Sequence, residues 1–225
     1  MSYKSVDARK CDPFHVQFVR SFLAFAWLCL LVLPAGCSNS VKFADRTSSG
    51  PVVVLGDSLA AGYQLPEGQG FVDVLESRLG VEIENLSKSG ITTTESLPRI
   101  KKEVLPLEPS LVIIELGGND ALQKKDVAET RANLQKMIDQ VHEEKIPVML
   151  LGVRGGLMSD KFEDMFEDLA SDNEVAYVPN ILDGLLTKPG LRIDNIHPNA
   201  KGHQLIADKV EPVLAELLQK IGIKK

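Results

Sequence analysis

Val52-Val53-Val54-Leu55 is an unbroken apolar run closed by Gly56-Asp57-Ser58-Leu59, and it constrains the fold more than any other stretch. Four apolar residues ended by Gly, Asp and Ser read as a buried strand that stops in a tight turn. The pattern recurs. Leu111 to Leu116 reads as a central buried strand that stops at Gly117-Gly118-Asn119-Asp120, and Val148 to Leu151 as a fourth strand. Val81 to Leu86 alternates apolar and polar residues, which predicts a half-exposed strand at or near a sheet edge. Val175 to Val178 is a short fifth strand.

Amphipathic helices separate these runs. Phe71 to Leu79 carries Phe71, Leu75 and Leu79 on one stripe, and Leu97, Ile100 and Val104 mark a helix over Glu95 to Leu105. Asp126 to Glu144 is the clearest helix, with Val127, Leu134, Met137, Ile138 and Val141 inward. Phe162, Met165, Phe166 and Leu169 mark another. Pro198 to Ile221 is expected to be helical with Leu205, Ile206, Val210, Leu214, Leu217 and Leu218 inside, and Pro212 to kink or split it. Strand and helix alternate five times without an internal repeat. The expected fold is a three-layer α/β/α sandwich around a five-stranded parallel sheet.

The N-terminus is organised differently. Lys4, Arg9, Lys10 and Arg20 form a basic flank, Phe22 to Leu33 is an apolar run, and Pro34-Ala35-Gly36-Cys37 follows. This is the three-part layout of a secretory signal. The run falls short of the about 18 residues a spanning helix needs, although an uncleaved signal anchor is the other arrangement it permits. Residues 1–36 are therefore expected to be a signal peptide, 37–50 a polar mobile tether, and 51–225 the folded domain. All three cysteines, Cys11, Cys29 and Cys37, lie in or beside the signal, so the domain has no disulfide and no thiolate metal site. A net charge of −6 argues against nucleic acid as a partner.

In an open parallel sheet, ligands bind beyond the carboxyl ends of the strands. Ser58 has that address, but a serine nucleophile needs a base, an orienting carboxylate and an oxyanion hole. Three histidines follow the signal: His142 is expected to be solvated, and His203 to be a cap or surface residue. His197, in Asp194-Asn195-Ile196-His197-Pro198, is the candidate base, with Asp194 three residues away as its orienter. A plain turn at Asp194 with His197 capping the last helix accounts for the same spacing. Candidate oxyanion donors are the backbone of Ser58, the backbone of Gly90 and the amide of Asn119, and each also suits an ordinary turn. A P-loop, a dinucleotide fingerprint, a metal-spaced cluster and the Gly-x-Ser-x-Gly elbow are all absent, so no cofactor or metal is expected.

Taken together, Gly56-Asp57-Ser58-Leu59, Asn85-x-Ser87-x-Ser89-Gly90, Gly117-Gly118-Asn119-Asp120 and Asp194-x-x-His197-Pro198 resemble the SGNH (GDSL) hydrolase superfamily over about Pro51 to Leu218. Glu115 to Leu122 is similar to its branch of periplasmic lysophospholipases, thioesterases and arylesterases. The resemblance implies a flavodoxin-like fold, a Ser58–His197–Asp194 triad, and an oxyanion hole from Ser58, Gly90 and Asn119. It implies short to medium acyl ester or thioester substrates, with cell-wall O-acetyl groups or a non-catalytic envelope lipoprotein as alternatives. Gly152 to Met158 departs from the branch. Its glycines suggest a mobile flap in which Leu157 and Met158 line the acyl site, or a plain surface loop. Leu33 to Cys37 resembles a bacterial lipobox, with Pro34 where Leu is favoured. That implies lipidation of Cys37 and a lipid-anchored place in the extracytoplasmic envelope, in the periplasm or at the outer membrane.

Overall fold

The structure, a computed structural model, describes residues 40–46, 48–153 and 160–223. Five strands, β1 (Val52–Gly56), β2 (Ile83–Asn85), β3 (Leu111–Glu115), β4 (Val148–Leu151) and β5 (Ala176–Val178), make one parallel sheet in the order β2-β1-β3-β4-β5. Val52 and Val54 pack with α1 (Phe71–Leu79) and α6 (Ala200–Lys220), whereas Val53 and Leu55 pack with α4 (Val127–Glu143) and α5 (Asp160–Asp172). Burying one such side chain is worth about 1.5–3 kcal/mol, so a strand covered on both faces is apolar at every position. The alternating strand is indeed at the sheet edge: in β2, Ile83 is buried while Glu84 and Asn85 are exposed.

Helix ends follow local chemistry. Asp73 Oδ2 accepts from Gly70 N at 3.1 Å ahead of α1, and Asp126 Oδ1 accepts from Ala128 N at 2.8 Å ahead of α4. The second helix differs from expectation. It starts at Thr93, where Glu95 Oε2 accepts from Thr92 N at 2.9 Å, and α2 (Thr93–Arg99) ends well before Leu105. Pro98 has no N–H to give the Thr94 carbonyl, and the chain continues as a π-turn over Ile100–Val104. Ile100 and Val104 are buried as expected, while Leu97 is only half-buried. Pro212 does not split α6. Leu205, expected inside, is exposed, because the packed face of that turn holds Gly202, His203 and Ile206 instead.

Two histidines are placed otherwise than the local sequence suggests. His142 is half-buried and meets the ring of Phe43 edge-on at 5.3 Å. Burial pushes its pKa down to about 4, with Lys42 adding to the shift. Phe43 comes from the stretch expected to be tether, where Lys42 N also donates to Glu174 O at 2.8 Å. His203 is a cap, but for another helix: it is buried and its Nδ1 accepts from Phe71 N at 3.1 Å at the start of α1. The two rings stack with centroids 6.0 Å apart.

Burial, helped by the nearby His197, lowers the pKa of His203 from 6.5 to about 4. Between those values the unfolded chain binds the proton and the folded one does not, so the neutral imidazole stabilises the fold above about 6.5 and that stability is lost as pH falls toward about 4. Protonation also removes the acceptor for Phe71 N. Asp57, raised from 3.8 to about 6, contributes with the opposite sign over an overlapping window. The difference between wild type and His203→Gln isolates the histidine. Urea-unfolding free energies of the two should converge as pH drops from about 7 to about 4; a constant gap would show that His203 is not buried neutral.

Candidate active site

Ser58 leaves β1 two residues after the sheet ends. Its Oγ lies 3.0 Å from His197 Nε2, and His197 Nδ1 lies 2.8 Å from Asp194 Oδ2. Asp194 Oδ1 also accepts from the N–H groups of Ile196 and His197, both at 2.8 Å. Partial burial opposes ionisation of Asp194, but these hydrogen bonds outweigh it and hold the carboxyl below its ordinary range. Accepting on Oδ2 places the imidazole proton on Nδ1, which leaves Nε2 as the acceptor facing Ser58. The loop carrying these groups is closed as a small hairpin: Arg192 bridges Pro198, and Ile193 N donates to His197 O at 2.8 Å. Tyr63, which the spacing of motifs did not single out, lays its ring 4.3 Å from that of His197.

The amides around the turn divide into used and free. Asp57 N donates to the backbone and side-chain oxygens of Glu115, both at 3.2 Å, and Leu59 N donates to Asp57 Oδ1 at 3.0 Å. Ala60 N donates to Glu115 Oε2 at 3.3 Å. Ser58 N makes no hydrogen bond among the described residues, and neither does Gly90 N. Gly90 has φ +80°, the left-handed region that favours glycine, and open space where a Cβ would stand. It lies beside the site rather than in the cavity wall. Its neighbour Ile91 ties it to Asn119, whose Nδ2 donates to Ile91 O at 3.0 Å and to Asp57 Oδ2 at 3.1 Å. Both amide hydrogens of Asn119 are thus engaged. Asp120 holds the next turn: it accepts from Thr93 N at 2.9 Å and from Thr93 Oγ1 at 2.6 Å.

A cavity of about 340 Å³ opens at this point. Ser58, Asn119 and His197 are part of its polar wall, Leu122, Leu182 and Leu186 supply much of its apolar lining, and Arg192 is its one formal cation among the described residues. Leu157 and Met158, expected to line an acyl site, lie outside the described residues, as does Cys37. Among the described residues no three His, Cys, Asp or Glu side chains converge as a metal site, and no helix is long and apolar enough to cross a membrane.

The structure brings together Ser58, Asp194, His197 and Asn119 in one contiguous arrangement, with Gly90 one residue from it. The residues that motif spacing missed are Glu115, Tyr63 and Arg192. Glu115 carried a visible signal, since a carboxylate at the end of an otherwise apolar central strand needs an explanation.

The chain is similar to known proteins over most of its length. A family model described as GDSL-like Lipase/Acylhydrolase family matches residues 54–205. Esterase TesA of Pseudomonas aeruginosa is 31% identical over 198 residues, covering 83% of this chain and 98% of the relative. An arylesterase of Vibrio mimicus is 34% identical over 186 residues, covering 78% and 93%. A crystal structure of TesA superposes with a TM-score of 0.71 at 32% identity, covering 75% of this chain and 99% of that one.

The first glycine of the Ser58 turn is required by space, not by its dihedral. A Cβ on Gly56 would stand 2.6 Å from Ala60 Cβ and 2.9 Å from both Glu115 Oε2 and Ser87 Oγ. Gly56→Ala should therefore lower the unfolding free energy by about 1–3 kcal/mol, as overpacking does, although alanine is the better residue on chain-entropy grounds. Denaturant titration checks this; an unchanged or raised midpoint would mean the turn has more room than the distances give it.

Proposed function

Because the chain belongs to the GDSL-like lipase/acylhydrolase family, we propose that it is a serine esterase whose nucleophile, base and orienting acid are Ser58, His197 and Asp194. The observation that carries this reading is the pair of contacts at 3.0 Å and 2.8 Å that link the three side chains in the order nucleophile, base, acid. His197 Nε2 takes the Ser58 proton as Oγ attacks the ester carbonyl, and Asp194 stabilises the imidazolium. The oxyanion is met by the free N–H groups of Ser58 and Gly90 and by Asn119. His197 then protonates the leaving alcohol, water takes its place, and the same base activates that water to release the acid and regenerate Ser58.

The cavity supports this substrate class. At about 340 Å³ it is at the small end of ligand pockets, and its leucines suit an acyl chain better than a sugar. Short to medium acyl esters, aryl esters and thioesters fit, and exposed Leu122 extends the apolar path outward. Upstream, the basic flank, apolar run and Ala35-Gly36-Cys37 support export and a lipid anchor at Cys37. Partition of the protein into detergent, abolished by Cys37→Ser, tests that part alone.

Ser58→Ala should lose both ester turnover and labelling by a fluorophosphonate; turnover that survives the change would end this mechanism. Asn119→Ala should retain weak activity, with kcat lower by roughly 10²–10³. For Asp194→Asn we expect kcat to fall by at least about 10², because the amide favours the wrong imidazole tautomer. A kinetic series of p-nitrophenyl esters of rising chain length should peak at short to medium acyl groups and decline beyond them.

A further inference from the structure

Beneath the Ser58 turn lies a carboxyl pair to which the acyl-transfer scheme gives no task. Glu115 ends β3 and is 0% exposed; Asp57 follows β1 and is 3% exposed. No Lys or Arg pairs with either among the described residues. Their hydrogen bonds are unequal. Asp57 uses both oxygens, Oδ1 for Leu59 N at 3.0 Å and Oδ2 for Asn119 Nδ2 at 3.1 Å. Glu115 accepts only on Oε2, from the amides of Asp57 and Ala60, while no donor reaches its buried Oε1 among the described residues and its side chain lies within hydrogen-bond reach of the Asp57 carboxyl. Two adjacent buried carboxyls without a cation cannot both ionise cheaply, and the proton goes to the one whose charge is less well solvated by donors.

We propose that Glu115 is a positioning residue for the oxyanion side of the site: a neutral carboxylic acid that clamps the Asp57 and Ala60 amides and leaves the pair's single negative charge on Asp57, which in turn aims the amide of Asn119. The inference rests on Asn119 acting as an oxyanion donor, as proposed above. Electrostatics support it. Burial first, and the neighbouring Asp57 second, push the Glu115 pKa well up. Burial raises that of Asp57 only to about 6, because the Leu59 amide, Glu115 and His197 favour its charge and Asp120 alone opposes it. Those are the titratable groups that face the pair from β1, β3, α3 (Gly118–Leu122) and the loop before α6.

Glutamine is a near-isosteric mimic of the neutral acid. Its carbonyl accepts from the same two amides, and the pair's charge is unchanged. Alanine leaves both amides without an acceptor. Asparagine at 57 puts an amide where Asn119 needs an acceptor. The test measures kcat, KM and the pH profile on a neutral short-chain p-nitrophenyl ester, together with infrared spectra of the protein. Glu115→Gln should keep most of kcat with an acid limb like that of wild type. Glu115→Ala and Asp57→Asn should lower kcat by roughly 10²-fold or more with little change in KM, the signature of a lost oxyanion contact. Wild type at pH 8 should show the C=O band of a buried protonated carboxyl, still present in Ser58→Ala and absent from Glu115→Gln. Loss of kcat in Glu115→Gln as deep as in Asp57→Asn, or no such band at pH 8, overturns the proposal. The band is read without turnover, so it remains informative if Glu115→Ala does not fold. Absence of ester hydrolysis by wild type would sink the esterase reading instead, and the band would still report the proton.

Discussion

The parallel pairing of β1 with β3, with Gly56 opposite Glu115, is the constraint on which the site depends. It is also where the strand order turns back: β2 leaves one side of β1, and β3 to β5 continue on the other. Loops beyond the carboxyl ends of β1 and β3 therefore diverge and leave a crevice between them. Ser58 stands on one loop and Asn119 on the other. A slip of one residue in this register would turn every side chain to the opposite face, and both faces are packed. The register is fixed by the core, and the core thereby fixes the distance between Ser58 and Asn119. Gly56 lets Glu115 reach across this seam, since a Cβ there would touch its carboxyl.

The imidazole of His197 arrives from the far end of the chain, so its position needs separate support. His197 precedes α6, and α6 is held to α1 by His203 on Phe71 N and by Arg78, which pairs with Asp208 at 2.8 Å and Glu211 at 2.9 Å. The first turn of α6 presses on the hairpin below it: a Cβ on Gly202 would stand 2.5 Å from Leu191 O and 2.6 Å from Pro198 Cβ. Asn199 Oδ1 accepts from Gly202 N at 3.1 Å and closes the helix end. The contact between Ser58 and His197 spans 139 residues, yet each step that sets it is a short-range packing or capping event.

How far the sequence carries the argument depends on whether a feature is local. Fully apolar strands and the alternating edge strand were legible because burial of one face or two writes itself into consecutive residues. Asp194 and His197 were legible as a unit because three residues separate them. Leu205 was not, since its helical period admits several faces and the elements packed on α6 decide which is inside. His142 looked solvated among its charged neighbours, whereas Phe43, nearly a hundred positions earlier, covers it. Glu115 and Tyr63 matter through partners on other elements, and neither lies at a recurrent spacing from Ser58. The end of α2 differs in kind: Pro98 is visible in the chain, and its missing N–H is a local reason for the α-helix to stop at Arg99.

The three carboxylates of the site divide the work according to their exposure. The side chain of Asp194 is 44% exposed, so its attraction for an imidazolium is screened and contributes little to stability. Its three short hydrogen bonds nonetheless fix the tautomer and direction of His197, which is a geometric task that water does not undo. Asp57 and Glu115 lie where screening is weak. A buried unit charge beside a forming oxyanion opposes it, and at an effective dielectric near 20 rather than 80 the cost is on the order of a kcal/mol or more, enough to change the rate about tenfold. A second buried charge would add such a cost and bring no donor to the oxyanion. In the proposed arrangement a proton retained on Glu115 keeps its hydrogen bonds to the turn and removes that charge, so the same residue can shape the Ser58 loop without opposing a reaction on it.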